Sequence, residues 1–174
     1  MEKVLEILKL AVEKEQVRHD IYVEAAQNTG NQLAKATFEA LAKDEDKHAK
    51  YLKTYYEKMV ATADWPDASD LVEDEDSLAV VKEIFKYANA QIANAGCCEE
   101  GLTEVYDAAI AAEGEAIHFY KDALEHTTDE SARGFFKMLI DAESRHQVLL
   151  SETQEFLDDT SKWFFDQEMW IVEG

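Results

Sequence analysis

Two short stretches, Glu45-Asp46-Lys47-His48 and Glu143-Ser144-Arg145-His146, place a carboxylate and an imidazole three residues apart. On a helix such a pair lies about 60° apart around the axis, so both side chains can grip one metal ion. A lone Glu-x-x-His says little in a chain with 38 acidic residues among 174. Here the two copies are 98 residues apart, and 30 residues before each stands another glutamate, Glu15 and Glu113.

The match extends beyond the ligand types. Residues 15–52 slide onto 113–150 without a gap, laying Tyr22 on Tyr120, Ala25 on Ala123 and Ala34 on Ala132. The same offset superposes Phe38 on Phe136, Leu41 on Leu139 and Leu52 on Leu150. Six candidate ligands thus recur in register within segments of otherwise different sequence, the signature of a duplicated helical hairpin.

The elements that must position them follow from apolar periodicity. A first helix is expected over about 3–27, with Val4, Ile7, Leu8, Ala11, Glu15, Tyr22, Ala25 and Ala26 near one stripe. Glu15 sits inside that stripe, where a carboxylate is expensive unless a metal, a charge or hydrogen bonds satisfy it. Gly30 reads as a left-handed helix terminator and Asn31 as the cap of a second helix reaching about residue 60. Phe38, Leu41, Glu45, His48 and Leu52 step by three and four along its seam. A loop this short makes the two helices antiparallel neighbours.

Residues 61–101 read as a crossover, an acidic loop from Trp65-Pro66 onward followed by a short helix capped by Ser77. A third helix is expected over Leu102 to about Glu125, with Val105, Ala109, Glu113, Ala116, Tyr120 and Ala123 facing inward. Thr127-Thr128-Asp129 turns the chain into a fourth helix, which carries Phe136, Leu139, Glu143, His146 and Leu150 and ends near Asp158. The tail, 159–174, holds Trp163, Phe164, Phe165, Met169, Trp170 and Ile171, and should pack on the bundle or on another subunit. The expectation is one all-α domain over 1–174: a four-helix up-down bundle of two repeated hairpins, about 3–60 and 102–158, with one long crossover.

Composition narrows the function. A net charge of −21 argues against nucleic acid or an anionic membrane as partner and would concentrate cations. Met1-Glu2-Lys3 leads straight into an amphipathic helix, and no run approaches the ~18 apolar residues of a membrane span, so a cytoplasmic location is expected. Cys97 and Cys98 are adjacent and build neither a disulfide framework nor a Cys-x-x-Cys metal site within the chain.

Folding the repeat brings Glu15, Glu45, His48, Glu113, Glu143 and His146 to one layer. Four carboxylates and two imidazoles suit a dinuclear site, each ion taking one His and one terminal Glu. Glu15 and Glu113 are the natural terminal ligands, Glu45 and Glu143 the natural bridges. Such ligation favours iron, with manganese or zinc as substitutes. Open positions on such a pair can take O₂ or peroxide. Tyr22 and Tyr120, two turns from Glu15 and Glu113, are the candidate catalytic residues beside the ligands, able to hydrogen-bond a ligand carboxylate; core packing is the competing reading. Glu115-x-x-His118 repeats the motif on a face turned away from the core, and His19, His126, Glu13 and Glu24 read as solvated.

With these motifs the chain resembles the ferritin-like di-iron domain of the rubrerythrin family, over about residues 5–60 and 103–157. The resemblance implies two irons bridged by Glu45 and Glu143 and flanked by Glu15, His48, Glu113 and His146. It also implies reduction of hydrogen peroxide at the diferrous site, and a homodimer. Two departures stand out. The four-cysteine rubredoxin domain of typical members has no counterpart here, so electrons would come from a separate donor such as a rubredoxin-type protein. Well-known members also carry an extra glutamate one turn after the third-helix ligand; Ala116 stands there, which suggests a more symmetric site. Two other functions remain open at this point, ferroxidase or iron storage, and a bundle in which metal only stabilises the fold.

Overall fold

The computed structural model describes residues 2–62, 64–65 and 101–158. Four helices account for nearly all of them: α1 (Glu2–Asn28), α2 (Gln32–Thr62), α3 (Leu102–Glu125) and α4 (Glu130–Asp158). The short helix expected from Ser77, the acidic run after Pro66, Cys97, Cys98 and the aromatic tail lie outside the described residues. No helix among the described residues is long and apolar enough to cross a membrane.

The helix ends follow local chemistry. Asn31 Oδ1 accepts the backbone N–H groups of Leu33 and Ala34, both at 3.0 Å, capping α2 as expected. Asp129 Oδ1 does the same for Ala132 at 3.0 Å ahead of α4. Gly30 departs from expectation. It does not take the left-handed conformation; Thr29 Oγ1 accepts the Asn31 N–H at 3.1 Å and closes the turn. The positive-φ glycine among the described residues is instead Gly101, at φ 85 before α3.

Within each hairpin the two helices pack along one another, α1 on α2 and α3 on α4, and the hairpins meet through α2–α4 and α1–α3. Two apolar clusters divide the interior. One gathers Tyr22 and Ala26 of α1, Leu33 to Ala42 of α2, Tyr106 and Ala109 of α3, and Leu149, Leu150 and Phe156 of α4. The other gathers Leu8 and Ala11, Leu52, Tyr55 and Met59, Ala116 to Ala123, and Phe135 to Leu139. The order of these residues along each helix shows that α2 and α3 run the same way while α1 and α4 run the opposite way. Thr62 and Leu102 therefore lie at opposite ends of the bundle, the arrangement that a single crossover connection requires. Between the clusters lies a polar layer.

Aromatic rings lock the second cluster. Phe135 is fully buried and stacks on Tyr55 with centroids 4.0 Å apart, and Trp65 lies 5.9 Å from Tyr55 and 6.0 Å from Phe136. Phe135→Ala is expected to cost about 3–5 kcal/mol, read as a lowered urea midpoint; a loss below about 1 kcal/mol would mean that this ring is not part of the core.

Candidate metal centre

Each helix delivers its acidic side chain to the polar layer at a seam position. Glu15 comes from α1, Glu45 and His48 from α2, Glu113 from α3, and Glu143 and His146 from α4. The four glutamates are wholly shielded from solvent, and the two histidines are 8% and 4% exposed. The ligand-type atoms form two overlapping sets, Glu15–Glu45–His48–Glu143 and Glu45–Glu113–Glu143–His146. Within each set they lie within 4.8 Å of one another, close enough to hold a metal ion. Glu45 and Glu143 belong to both sets. The two imidazoles stack with centroids 5.4 Å apart. Glu115 and His118 point to solvent, as do Glu13, Glu24 and His126, and His19 pairs at the surface with Asp20 at 2.8 Å.

Tyr22 and Tyr120 are each 1% exposed and donate their hydroxyls to ligand-type carboxylates, but across the bundle. Tyr22 donates to Glu113 Oε1 and Tyr120 to Glu15 Oε1. Each hairpin thus orients the first glutamate of the other.

One residue of the layer has no place in the sequence reading. Arg18 is 6% exposed and reaches in among the carboxylates. Its Nη2 lies 2.5 Å from Glu15 Oε2 and donates to Glu143 Oε1 at 3.1 Å. Its Nε donates to Glu45 Oε2 at 3.1 Å and stands 3.9 Å from Glu113 Oε2. The signal was present: Arg18 occupies the seam position between Glu15 and Tyr22, three after one and four before the other, where a charge demands a partner. Arg18 also removes the symmetry expected from Ala116. Asp44 is a second residue that spacing did not single out; its Oδ2 lies 3.6 Å from Nε2 of His146.

Burial dominates the electrostatics of the layer, and the neighbours decide its direction group by group. Burial and the adjacent Glu143 charge push Glu45 well above the usual carboxylate range. Burial also raises Glu113. Burial works against ionised Glu143, but hydrogen bonds with His146 and His48 hold it well below that range. Glu15 is lowered too, against burial and the Glu143 charge, by its close neighbours Glu45 and His48 and by Arg18. Burial opposes charge on both imidazoles, yet the Glu143 and Glu15 carboxylates, 3.3 and 3.6 Å from Nδ1, bring His48 up to about 10, and the carboxyl groups around His146, Asp44 foremost, hold it well above its ordinary range. Cationic Arg18, His48 and His146 therefore face the four carboxyl groups at neutral pH.

The residues fit a pair of divalent ions. Glu15 Oε2, Glu45 Oε1, Glu113 Oε2 and His48 Nδ1 are buried beside charged neighbours yet make no hydrogen bond. Oxygen and imidazole donors crowded in this way suit divalent ions such as iron or manganese. Binding would expel the protons held by His48 and His146.

A pH dependence follows for the metal-free protein. His48 and His146 titrate higher in the folded chain than in the unfolded one, so their stabilisation is complete below about pH 6.5 and is lost as pH rises toward 10. Raised Glu45 acts in the same direction; lowered Glu15 and Glu143 stabilise above about pH 4.5 and lose this on acidification. The melting temperature of metal-free protein should fall between pH 7 and pH 10. A flat profile there would mean that the imidazoles are not held as cations.

Comparison with known proteins agrees with this geometry. No curated protein and no solved structure shows a significant match to the chain. A family model described as rubrerythrin matches residues 6–153, a span that holds all six candidate ligands, both tyrosines and Arg18. On that match the chain belongs to the rubrerythrin family.

Proposed function

We propose that this protein is a non-haem di-iron oxidoreductase that reduces hydrogen peroxide with electrons from a separate donor protein. The observation that carries the reading is the pair of overlapping donor sets sharing Glu45 and Glu143 in a rubrerythrin-family chain. Glu15 with His48, and Glu113 with His146, would flank the two ions, while Glu45 and Glu143 would bridge them. Two ferrous ions held there would supply the two electrons that, with two protons, convert hydrogen peroxide to water.

The chain's own residues supply position and protection. Tyr22 and Tyr120 fix the outer carboxylates, leaving each only part of its lone-pair capacity for an ion. Burial raises both phenols well above their ordinary range, so they remain donors rather than becoming phenolates. The apolar clusters on either side keep bulk water away from the layer. Between α1 and α3 the described residues leave a cleft of about 310 Å³ that reaches Tyr22, lined by Ile21, Phe38, Val105, Ala108 and Ala112 among others. Its walls suit a small neutral molecule such as peroxide or O₂ better than an anion. A cytoplasmic homodimer completes the proposal.

Anaerobic titration of metal-free protein with Fe²⁺ tests this directly. Uptake should stop near two irons per chain, and peroxide should oxidise the bound iron much faster than O₂, followed by the near-ultraviolet absorption of ferric iron. Uptake far beyond two, driven by O₂, would indicate iron storage instead, and bound iron inert to both oxidants would indicate a metal that only stabilises the bundle. Tyr22→Phe and Tyr120→Phe should each weaken iron binding by about 10–100-fold, measured by competition with a chelator; unchanged affinity would mean that the phenols only fill space.

A further inference from the structure

At position 18 the two halves of the repeat differ inside the layer. Under the 98-residue offset Arg18 falls on Ala116, and both are buried in the bundle interior. The guanidinium is not centred between the two donor sets. Its Nη2 lies 2.5 Å from Glu15 Oε2, 3.1 Å from Glu45 Oε2 and 3.1 Å from Glu143 Oε1, whereas His146 faces the other oxygens of the two shared carboxylates, Glu45 Oε1 and Glu143 Oε2, each at 3.1 Å. Toward the other set's private glutamate, Glu113, the approach is only 3.9 Å. The second asymmetry points the same way. Asp44 lies 3.6 Å from the outer nitrogen of His146, whereas the aligned position beside His48 is Ala142, which offers no carboxylate.

A guanidinium keeps its charge in any protein environment, presents five donors and offers no lone pair to a metal. It therefore competes with a divalent ion for the same oxygens rather than joining it. Charge balance gives the same result. Four carboxylates match two divalent ions only if no other cation stays among them, and like charges a few ångströms apart in a dry layer repel strongly.

We propose that Arg18 is the resident cation of the Glu15–His48 half of the site, so that the two halves load unequally. The first divalent ion enters the Glu113–His146 half with Arg18 in place. The second binds only when the guanidinium withdraws from Glu15, Glu45 and Glu143. Arg18 is thus an affinity-setting residue for one half of the centre, and Ala116, its counterpart, leaves the other half free. This inference deepens the di-metal reading and rests on it.

Manganese(II) serves as the probe, with calorimetry for affinities and electron paramagnetic resonance to tell an isolated ion from a coupled pair. Wild-type protein should bind one Mn²⁺ at least about tenfold more tightly than the second, and the first ion should give the hyperfine-split signal of an isolated centre. Arg18→Ala should bring the two affinities within a few-fold of each other and show the coupled pair early in the titration. Arg18→Lys, which keeps a cation, should retain part of the inequality. Metal-free Arg18→Ala lacks a cation among its buried acids, so Mn²⁺ should raise its melting temperature more than that of wild type.

If that variant does not fold without metal, Glu15→Gln and Glu113→Gln, which keep Arg18, decide the question. Glu15→Gln should spare the tight ion and Glu113→Gln should remove it. The reverse pattern, or two equal ions in the wild type, overturns the role of Arg18 while leaving the di-metal reading intact. A wild-type protein that takes up neither Mn²⁺ nor Fe²⁺ overturns both.

Discussion

Four carboxyl groups buried in one layer are the constraint on which the rest of this molecule depends. Isolated carboxylates in a dry interior cost several kcal/mol each even after the surroundings relax. Glu15, Glu45, Glu113 and Glu143 have no access to water that could relieve them. Their compensation comes from inside: two imidazoles, two phenol donors and one guanidinium, each on a helix whose seam aims it at the layer. The apolar clusters above and below do not dilute that problem. They hold the helices at the separation that keeps the charges within a few ångströms of their partners.

Duplication explains how so demanding a layer can be assembled from simple parts. Each hairpin contributes one glutamate, one Glu-x-x-His and one tyrosine, and packs its own two helices extensively. Neither hairpin satisfies itself. Tyr22 serves the glutamate of the second hairpin, and Tyr120 that of the first. Arg18 on α1 bonds Glu143 on α4 as well as Glu45 on α2. Hydrogen bonds to charged groups are worth more than neutral ones, typically about 1.5–3 kcal/mol each. The hairpins are thus joined through the polar layer as well as through the apolar clusters on either side of it.

Departures from the repeat fall on the compensation rather than on the donors. All six ligand-type residues recur in register, whereas Arg18 faces Ala116 and Asp44 faces Ala142 across the offset. The pseudo-symmetric scaffold therefore holds a centre with two different halves. One half is built around an internal cation, and the other carries a carboxylate behind its imidazole. The rubrerythrin family match spans the shared plan, and these paired differences are where its two halves part within this chain.

Much of this was legible in the chain itself. Seam spacing and the 98-residue repeat are local, one-dimensional properties, so they determined four helices, two hairpins and the six residues that meet. Helix caps such as Asn31 and Asp129 were equally readable, because a cap acts on a backbone two or three residues away. Gly30 was misread because a side-chain turn at Thr29 can end a helix without a left-handed glycine. What crosses between helices was not readable. Spacing placed Tyr22 on the face of Glu15, but only packing decided that its hydroxyl meets Glu113, since helix order and separation are global properties. Arg18 was legible only in part. Its seam position marks a charge that needs a partner, and only the assembled bundle shows the four buried acids that supply one.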